Sequence, residues 1–275
     1  MKKLFLFLLM LPSLFCSCSN DDEVTTKSEN DRFNLNITWN GQQYTVPCSL
    51  DENGNLQYWN EEFKNVYNNE IAQYEDSLVT YAVDNHTISY YPSIKAMMND
   101  LGLRFLNQRA MTDEESKAGT RTVASNTIAG MVYMWSGTNF NGTQLNHRTF
   151  YTSSYWNSRL STLKYNDAAR SIRVVSNIPQ DDYVYVNYSD IAFKYNEGSF
   201  FEDPPTGSSL YATNDLRVVF IAYEDTRYRG KVLCMIPENT NYRQYEKLST
   251  IGWDKMISSV VIRIAVKDLY QERIK

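Results

Sequence analysis

The chain has 275 residues, of which 43% are hydrophobic and 14% aromatic, with a formal net charge of −5. That apolar content can bury a core, so a chain disordered throughout is excluded, and 11 Gly and 7 Pro exclude a collagen-like or low-complexity one. The acidic balance excludes a nucleic-acid binder driven by phosphate neutralisation, while 21 Tyr beside 12 Phe and 5 Trp tilt the composition toward β structure.

The first segment reads as an address. Met1-Lys2-Lys3 is a short basic start, and Leu4 to Leu14 is an apolar run broken only by Pro12 and Ser13. The run has the length of a signal h-region and is too short to span a bilayer. It ends in Phe15-Cys16-Ser17-Cys18. This resembles a bacterial lipoprotein signal over residues 1–17, with Cys18 as the lipidated residue, because the small Ser17 precedes it whereas the bulky Phe15 precedes Cys16. The alternative is an ordinary signal peptide with incidental cysteines. Residues 18–30 form an acidic tether in which Asp21-Asp22-Glu23 resembles the export signal of surface-exposed lipoproteins of the Bacteroides type. A merely solvated tether is the other reading. Loss of two Lys with the leader takes the net charge to −7, so acyl chains rather than basic residues would hold the protein at a membrane.

Residues 31–107 read as a small α+β domain. Leu35, Ile37 and Trp39 alternate toward Asn40-Gly41, with Tyr44 and Val46 returning, the strongest short hairpin signal. Asp51 to Asn55 is a turn. A helix starts at Asn60, with Phe63, Val66, Tyr67, Ile71 and Tyr74 at helical spacing. Ser77 to Val83 and Thr87 to Tyr91 are strands joined at Asp84-Asn85-His86, and a second helix over Ser93 to Leu101 closes at Gly102. Residues 108–126 are poor in large apolar residues and read as an inter-domain linker. From 127 to 275 the pattern is all β.

That C-terminal region repeats itself without a gap at a shift of 88 residues. Trp135 falls on Tyr223, Phe140 on Tyr228, Gly142 on Gly230, Leu160-Ser161-Thr162-Leu163 on Leu248-Ser249-Thr250-Ile251, and Ser171 on Ser259. An aromatic, six residues, a Gly and a later Ser, twice over, resembles the βγ-crystallin Greek-key motif, covering residues 130–175 and 216–266. The resemblance implies a sandwich of two motifs. Each first hairpin would fold over its own sheet at a side-chain-free position, Gly142 and Gly230, and be pinned by a hydroxyl, Ser171 and Ser259. The fold class expected is therefore an α+β N-terminal domain plus an all-β, βγ-crystallin-like sandwich. Paired motifs usually follow each other directly, whereas here residues 177–215 intervene, with a strand at Tyr183 to Val186 and a turn at Asp203 to Gly207. This insert is either a place for a binding surface or a decorated connection.

Many members of that family bind calcium at Asn/Asp, Asn/Asp, two free positions, Ser/Thr, Ser. Here the stretches are Asn166-Asp167-Ala168-Ala169-Arg170-Ser171 and Asp254-Lys255-Met256-Ile257-Ser258-Ser259. Arg170 and Lys255 each stand where an oxygen ligand is needed, and both repel a divalent ion. Asn166, Asp167, Asp254 and Ser258 are thus degenerate metal candidates, and no cofactor is expected. The rival is weak calcium binding through carbonyls with Asp167 or Ser258.

No catalytic residue is assigned. His86 and His147 have no metal-ligand spacing, and neither a phosphate loop nor a Gly-x-Ser-x-Gly elbow occurs. Cys48 and Cys234 read as buried strand thiols. A disulfide between them would suit an exported protein but would cross the expected domain boundary, and Cys48 with His86 has no motif behind it. The reading that follows is a non-catalytic, lipid-anchored outer-membrane protein, exposed at the cell surface, that binds a glycan, a protein or a peptidase. It touches the membrane only through its anchor and does not bind nucleic acid. The alternatives are an extracellular hydrolase acting on polymers and a structural or stress-related envelope protein.

Overall fold

The computed structural model describes residues 32–105, 128–151, 155–157, 159–163, 166–178, 183–186, 209–238 and 241–267. The leader, the acidic tether, the 108–126 stretch and the turn at Asp203 to Gly207 lie outside the described residues.

The chain enters as a hairpin, β1 (Phe33–Trp39) and β2 (Gln42–Leu50). Asn40 and Gly41 both take positive φ, 49° and 77°, the pair of left-handed residues that matches a tight turn to the twist of its strands. The carboxylate of Asp51 then accepts the backbone N–H of Asn53 and of Asn55, each at 2.8 Å, closing the turn into β3 (Leu56–Tyr58). Asn60 caps α1 (Glu61–Val66) by accepting from the Phe63 N–H. The apolar spacing that predicted one long helix continues instead as a π turn over Tyr67–Ile71 and a 3₁₀ turn over Ala72–Tyr74. The change falls at Asn68-Asn69, where helix propensity is weak. Phe63 and Ile71 still bury completely. β4 (Val79–Asp84), β5 (Thr87–Tyr91) and α2 (Ile94–Asp100) follow, with Ser93 capping α2. A short strand, β6 (Leu103–Phe105), ends this half.

The second half supplies β7 (Ile128–Trp135), β8 (Gln144–Tyr151), β9 (Tyr155–Asn157), β10 (Ser171–Ser176), β11 (Tyr183–Val186), β12 (Ser209–Ala212), β13 (Leu216–Asp225), β14 (Arg229–Met235), β15 (Tyr242–Tyr245) and β16 (Ser259–Lys267). Among the described residues, ten strands form one sheet in the order β3-β2-β1-β5-β4-β14-β13-β16-β6, with β9 also on β16. Four more form a second sheet, β15-β10-β7-β8, and β11 pairs antiparallel with β12.

The boundary expected at 108–126 does not separate two sheets. β4 pairs in parallel with β14, β6 pairs with β16, and Arg32–Lys275 is one compact unit. β13 and β16, interior strands toward the β6 end of the large sheet, are buried on both faces and therefore read as almost unbroken apolar runs. One face of the large sheet packs on the small sheet through a core that joins Leu35, Ile88, Phe220 and Ile262 to Val132, Met134, Ile172 and Tyr245. The other face, with Val219, Ile221, Tyr223, Val261 and Ala265, is covered by Ile94, Met97 and Met98 of α2. Long-range ties cross the former boundary. The Trp253 indole N–H donates to Thr80 Oγ1 at 3.2 Å, and the Tyr245 hydroxyl donates to the Asp84 carbonyl.

The two copies of the repeat share their local geometry. In the first, Asn139 and Phe140 take φ of 54° and 60°, and Gly142 takes 77°. In the second, Arg227 and Tyr228 both take 62°, and Gly230 takes 75°. The Ser171 hydroxyl accepts from the Phe140 N–H at 3.1 Å and donates to the Gly137 carbonyl at 2.7 Å. The Ser259 hydroxyl accepts from the Tyr228 N–H at 3.2 Å and donates to the Asp225 carbonyl at 2.7 Å. Both serines are fully buried.

The Cβ of an alanine at position 142 would lie 2.7 Å from Ser136 Oγ and 3.0 Å from Gly137 N, whereas at 230 the nearest atoms are at 3.2 and 3.3 Å. Gly142→Ala is expected to cost roughly 3 kcal/mol, strain plus collision, and Gly230→Ala roughly 1–2 kcal/mol, strain alone. Ser171→Ala and Ser259→Ala should each cost about 1–3 kcal/mol for orphaned backbone groups. Urea unfolding of the four variants checks the order.

Candidate binding face

The structure brings the metal candidates together at the junction between the two copies, where backbone bonds are exchanged reciprocally. Leu160 N–H donates to the Ser258 carbonyl and Leu248 N–H to the Arg170 carbonyl, both at 2.9 Å. Asp167 N–H donates to Ile257 at 3.2 Å, and Lys255 N–H to Ala169 at 3.0 Å. Asp167 and Lys255 both take positive φ. On one side of the junction the Arg170 guanidinium lies 3.2 Å from the Asp254 carboxylate. On the other the Ser258 hydroxyl donates to Asp167 Oδ1 at 2.8 Å, and the Asn166 amide donates to Asp167 Oδ2. The Arg170 guanidinium thus takes a carboxylate partner from the other copy, while Asp167 takes its hydrogen bonds from Ser258 and Asn166. A hard divalent cation takes six to eight oxygen ligands. The first position carries a guanidinium instead, and the second gathers one carboxylate, one hydroxyl and one amide.

The thiols are structural. Cys48 and Cys234 are free and fully buried. The Cys48 thiol donates to the Val46 carbonyl at 3.3 Å, whereas His86 lies exposed in the β4–β5 turn. The two thiols belong to different apolar clusters, Cys48 to the core between the sheets and Cys234 to the cluster under α2. Burial pushes Cys48 up to about 12 and Cys234 higher still, so neither is a thiolate near neutrality. Among the described residues no group of three His, Cys, Asp or Glu side chains is assembled that could hold a metal ion.

A different surface gathers polar and aromatic chemistry. Along β7 and β10 the side chains alternate. Val132, Met134, Ile172 and Val174 point into the core, and Tyr133, Trp135 and Arg173 point outward. The pairing register places Tyr133, Arg173 and Gln244 in one row across β7, β10 and β15. Tyr133 and Trp135 stack, ring centroids 5.8 Å apart and planes within 17°. Phe140, carried there by the folded hairpin, meets Trp135 edge-on at 5.1 Å. The Arg173 guanidinium lies 4.7 Å from the Phe140 ring centroid and 5.3 Å from that of Tyr242, which is 54% exposed. Its Nε donates to Gln244 Oε1 at 2.9 Å.

Sequence reasoning named Trp135 and Phe140 only as motif residues and missed Tyr133, Arg173, Tyr242 and Gln244. The alternation in Met131-Val132-Tyr133-Met134-Trp135 and Ile172-Arg173-Val174 was the available signal, but strand pairing from 71 residues away could not be read from it. Of the insert over 177–215, the structure describes a β11–β12 ladder and the residues that flank its strands; most of the rest lies outside the described residues.

Comparisons of the chain with protein-family models, with curated proteins and with solved structures find no match.

A disulfide-exchange reagent at pH 8 is expected to leave Cys48 and Cys234 unmodified in the folded protein and to label both in denaturant; labelling of either under native conditions would contradict their burial.

Proposed function

We propose that the protein is a non-catalytic, lipid-anchored surface protein. In this reading Cys18 carries the anchor, the repeat is a βγ-crystallin-like pair of Greek-key motifs, and the outer face of the small sheet binds a glycan or protein partner. The aromatic row with Arg173 carries the binding part of the reading. A half-exposed set of rings on a rigid sheet supplies contact area at little entropic cost, the property that sugar- and protein-binding surfaces share. The paired serine clasps and the matching positive-φ residues support the motif reading. The Lys-Lys start, apolar run and Ser17-Cys18 support the anchor.

The binding role is tested with the full chain purified in detergent, on a glycan array and in pull-downs from outer-membrane and extracellular fractions, with peptidase inhibition as a further arm. A ligand whose capture is lost on Tyr242→Ala, with the thermal midpoint unchanged, is the expected result. Capture insensitive to Tyr242→Ala, or turnover of a polymer by the protein, would overturn it. Cys18→Ala is expected to release the protein from the membrane fraction, and retention there would refute the anchor.

The junction between the copies is proposed to have lost calcium binding. Millimolar calcium should leave the thermal midpoint unchanged, whereas saturating a native site would raise it. Arg170→Ser with Lys255→Asp restores the missing oxygens and should gain a calcium-dependent rise.

A further inference from the structure

We propose that the Arg173 face is a receptor for an acidic glycan, with the guanidinium taking the carboxylate of a uronic acid and the neighbouring rings taking the sugar faces. The proposal rests on the binding reading above and names its ligand class.

Arg173 is held as a receptor would be. Its Nε is committed to Gln244, and its plane is flanked by Phe140 and Tyr242. Its two terminal nitrogens have no hydrogen-bond or carboxylate partner among the described residues, unlike Arg170, which pairs with Asp254. A planar fork already fixed in orientation loses little freedom when it grips a carboxylate with two parallel hydrogen bonds. A cation packed against rings is also less hydrated, which favours its exchange of water for an anion.

The rest of the face suits a sugar. The Tyr133–Trp135 stack gives two near-parallel rings, their planes within 17° and their centroids 5.8 Å apart. The Trp135 indole N–H has no hydrogen-bond partner among the described residues, so it is a donor for a hydroxyl. A peptide carboxylate would lean on main-chain pairing as well, and the edge strand beside Arg173, β15, offers only Tyr242–Tyr245.

The repeat sharpens the argument. The position equivalent to Arg173 in the second copy is Val261, and that equivalent to Tyr133 is Ile221. Both are buried beneath α2. Where the same sheet face is covered it carries aliphatics, and where it is open it carries an arginine among aromatic rings. The scaffold itself does not require the arginine.

The test is calorimetric titration of the full chain in detergent with galacturonic acid oligomers and, separately, with their methyl esters. The acid is expected to bind, with the ester and Arg173→Gln each weakening it about tenfold or more, and Arg173→Lys close to Gln because one ammonium cannot replace the fork. Tyr242→Ala should also weaken binding, and unchanged thermal midpoints show that the variants fold. Equal binding of acid and ester, or of wild type and Arg173→Gln, would overturn the uronate receptor. If Tyr242→Ala still mattered then, the binding face would survive with a neutral sugar as its ligand. Capture of a protein by this face in place of any glycan would overturn the proposal while keeping the face. Failure of every probe to respond to Tyr242→Ala would sink the face itself.

Discussion

Everything in the C-terminal half depends on a buried hydroxyl that serves two backbone groups at once. Each repeat forces two ordinary L-residues, Asn139 and Phe140 or Arg227 and Tyr228, into the left-handed region, at a cost of roughly 1–2 kcal/mol per residue. Ser171 and Ser259 offset that strain by accepting from the second of those residues and donating back to the start of the hairpin. The same serines sit opposite Trp135 and Tyr223 in the strand register. The clasp therefore holds the fold of the hairpin and the aromatic pair beneath it together, and the same Phe140 whose N–H is held by Ser171 places its ring 4.7 Å from the guanidinium of Arg173.

The two copies are alike in backbone and unlike in what their outer faces meet. In the second copy, Tyr223 and Tyr228 meet at the same angle as Trp135 and Phe140, 65°. Yet Tyr223 is 6% exposed, packed in the cluster that holds Ile94 and Met97. Burial there favours aliphatic neighbours, hence Val219, Ile221 and Val261. A buried charged group also lies on that side, Arg263, whose guanidinium is 4.5 Å from the Phe105 ring centroid and which burial lowers to about 10. A local symmetry in sequence thus turns into an asymmetry of burial through a helix that comes from the other half of the chain.

Local signals in the sequence were readable where the chain makes its own structure. Asn40-Gly41 located the first hairpin, Asn60 and Ser93 the helix starts, and the 88-residue shift the two clasped hairpins, because turns, caps and bends are decided within a few residues. The parallel seam of β4 on β14 was invisible. It joins Val79–Tyr81 to Val232–Cys234, and an apolar run does not say which distant run it pairs with. The polar stretch at 108–126 looked like a boundary because composition reports solvation rather than connectivity. β6 escaped for a related reason: three residues, Leu103–Phe105, carry no period, and their strand character comes from β16. Arg170 was legible as a foreign charge in an oxygen-ligand pattern. Arg173 was not, since an outward arginine in a strand is ordinary until its neighbours across the sheet are known.

The N-terminal half then has a physical role independent of any activity of its own. β14 would be an open edge with buried side chains on both faces, an invitation to pair with another chain. β4 closes it, and α2, which follows β5 in sequence, covers the face that β13 and β16 present. The small sheet is pinned in turn, because the Arg243 guanidinium donates to the Tyr81 hydroxyl and the Ala82 carbonyl, and Tyr245 reaches the Asp84 and Thr87 carbonyls. β15, which carries Tyr242 and Gln244, is therefore held from behind by β4 and β5 and from the side by β10. Positioning of Arg173 by Gln244 follows from that double hold. A guanidinium fork is selective only if its plane cannot wander, and the strands that fix it here come from both halves of the chain.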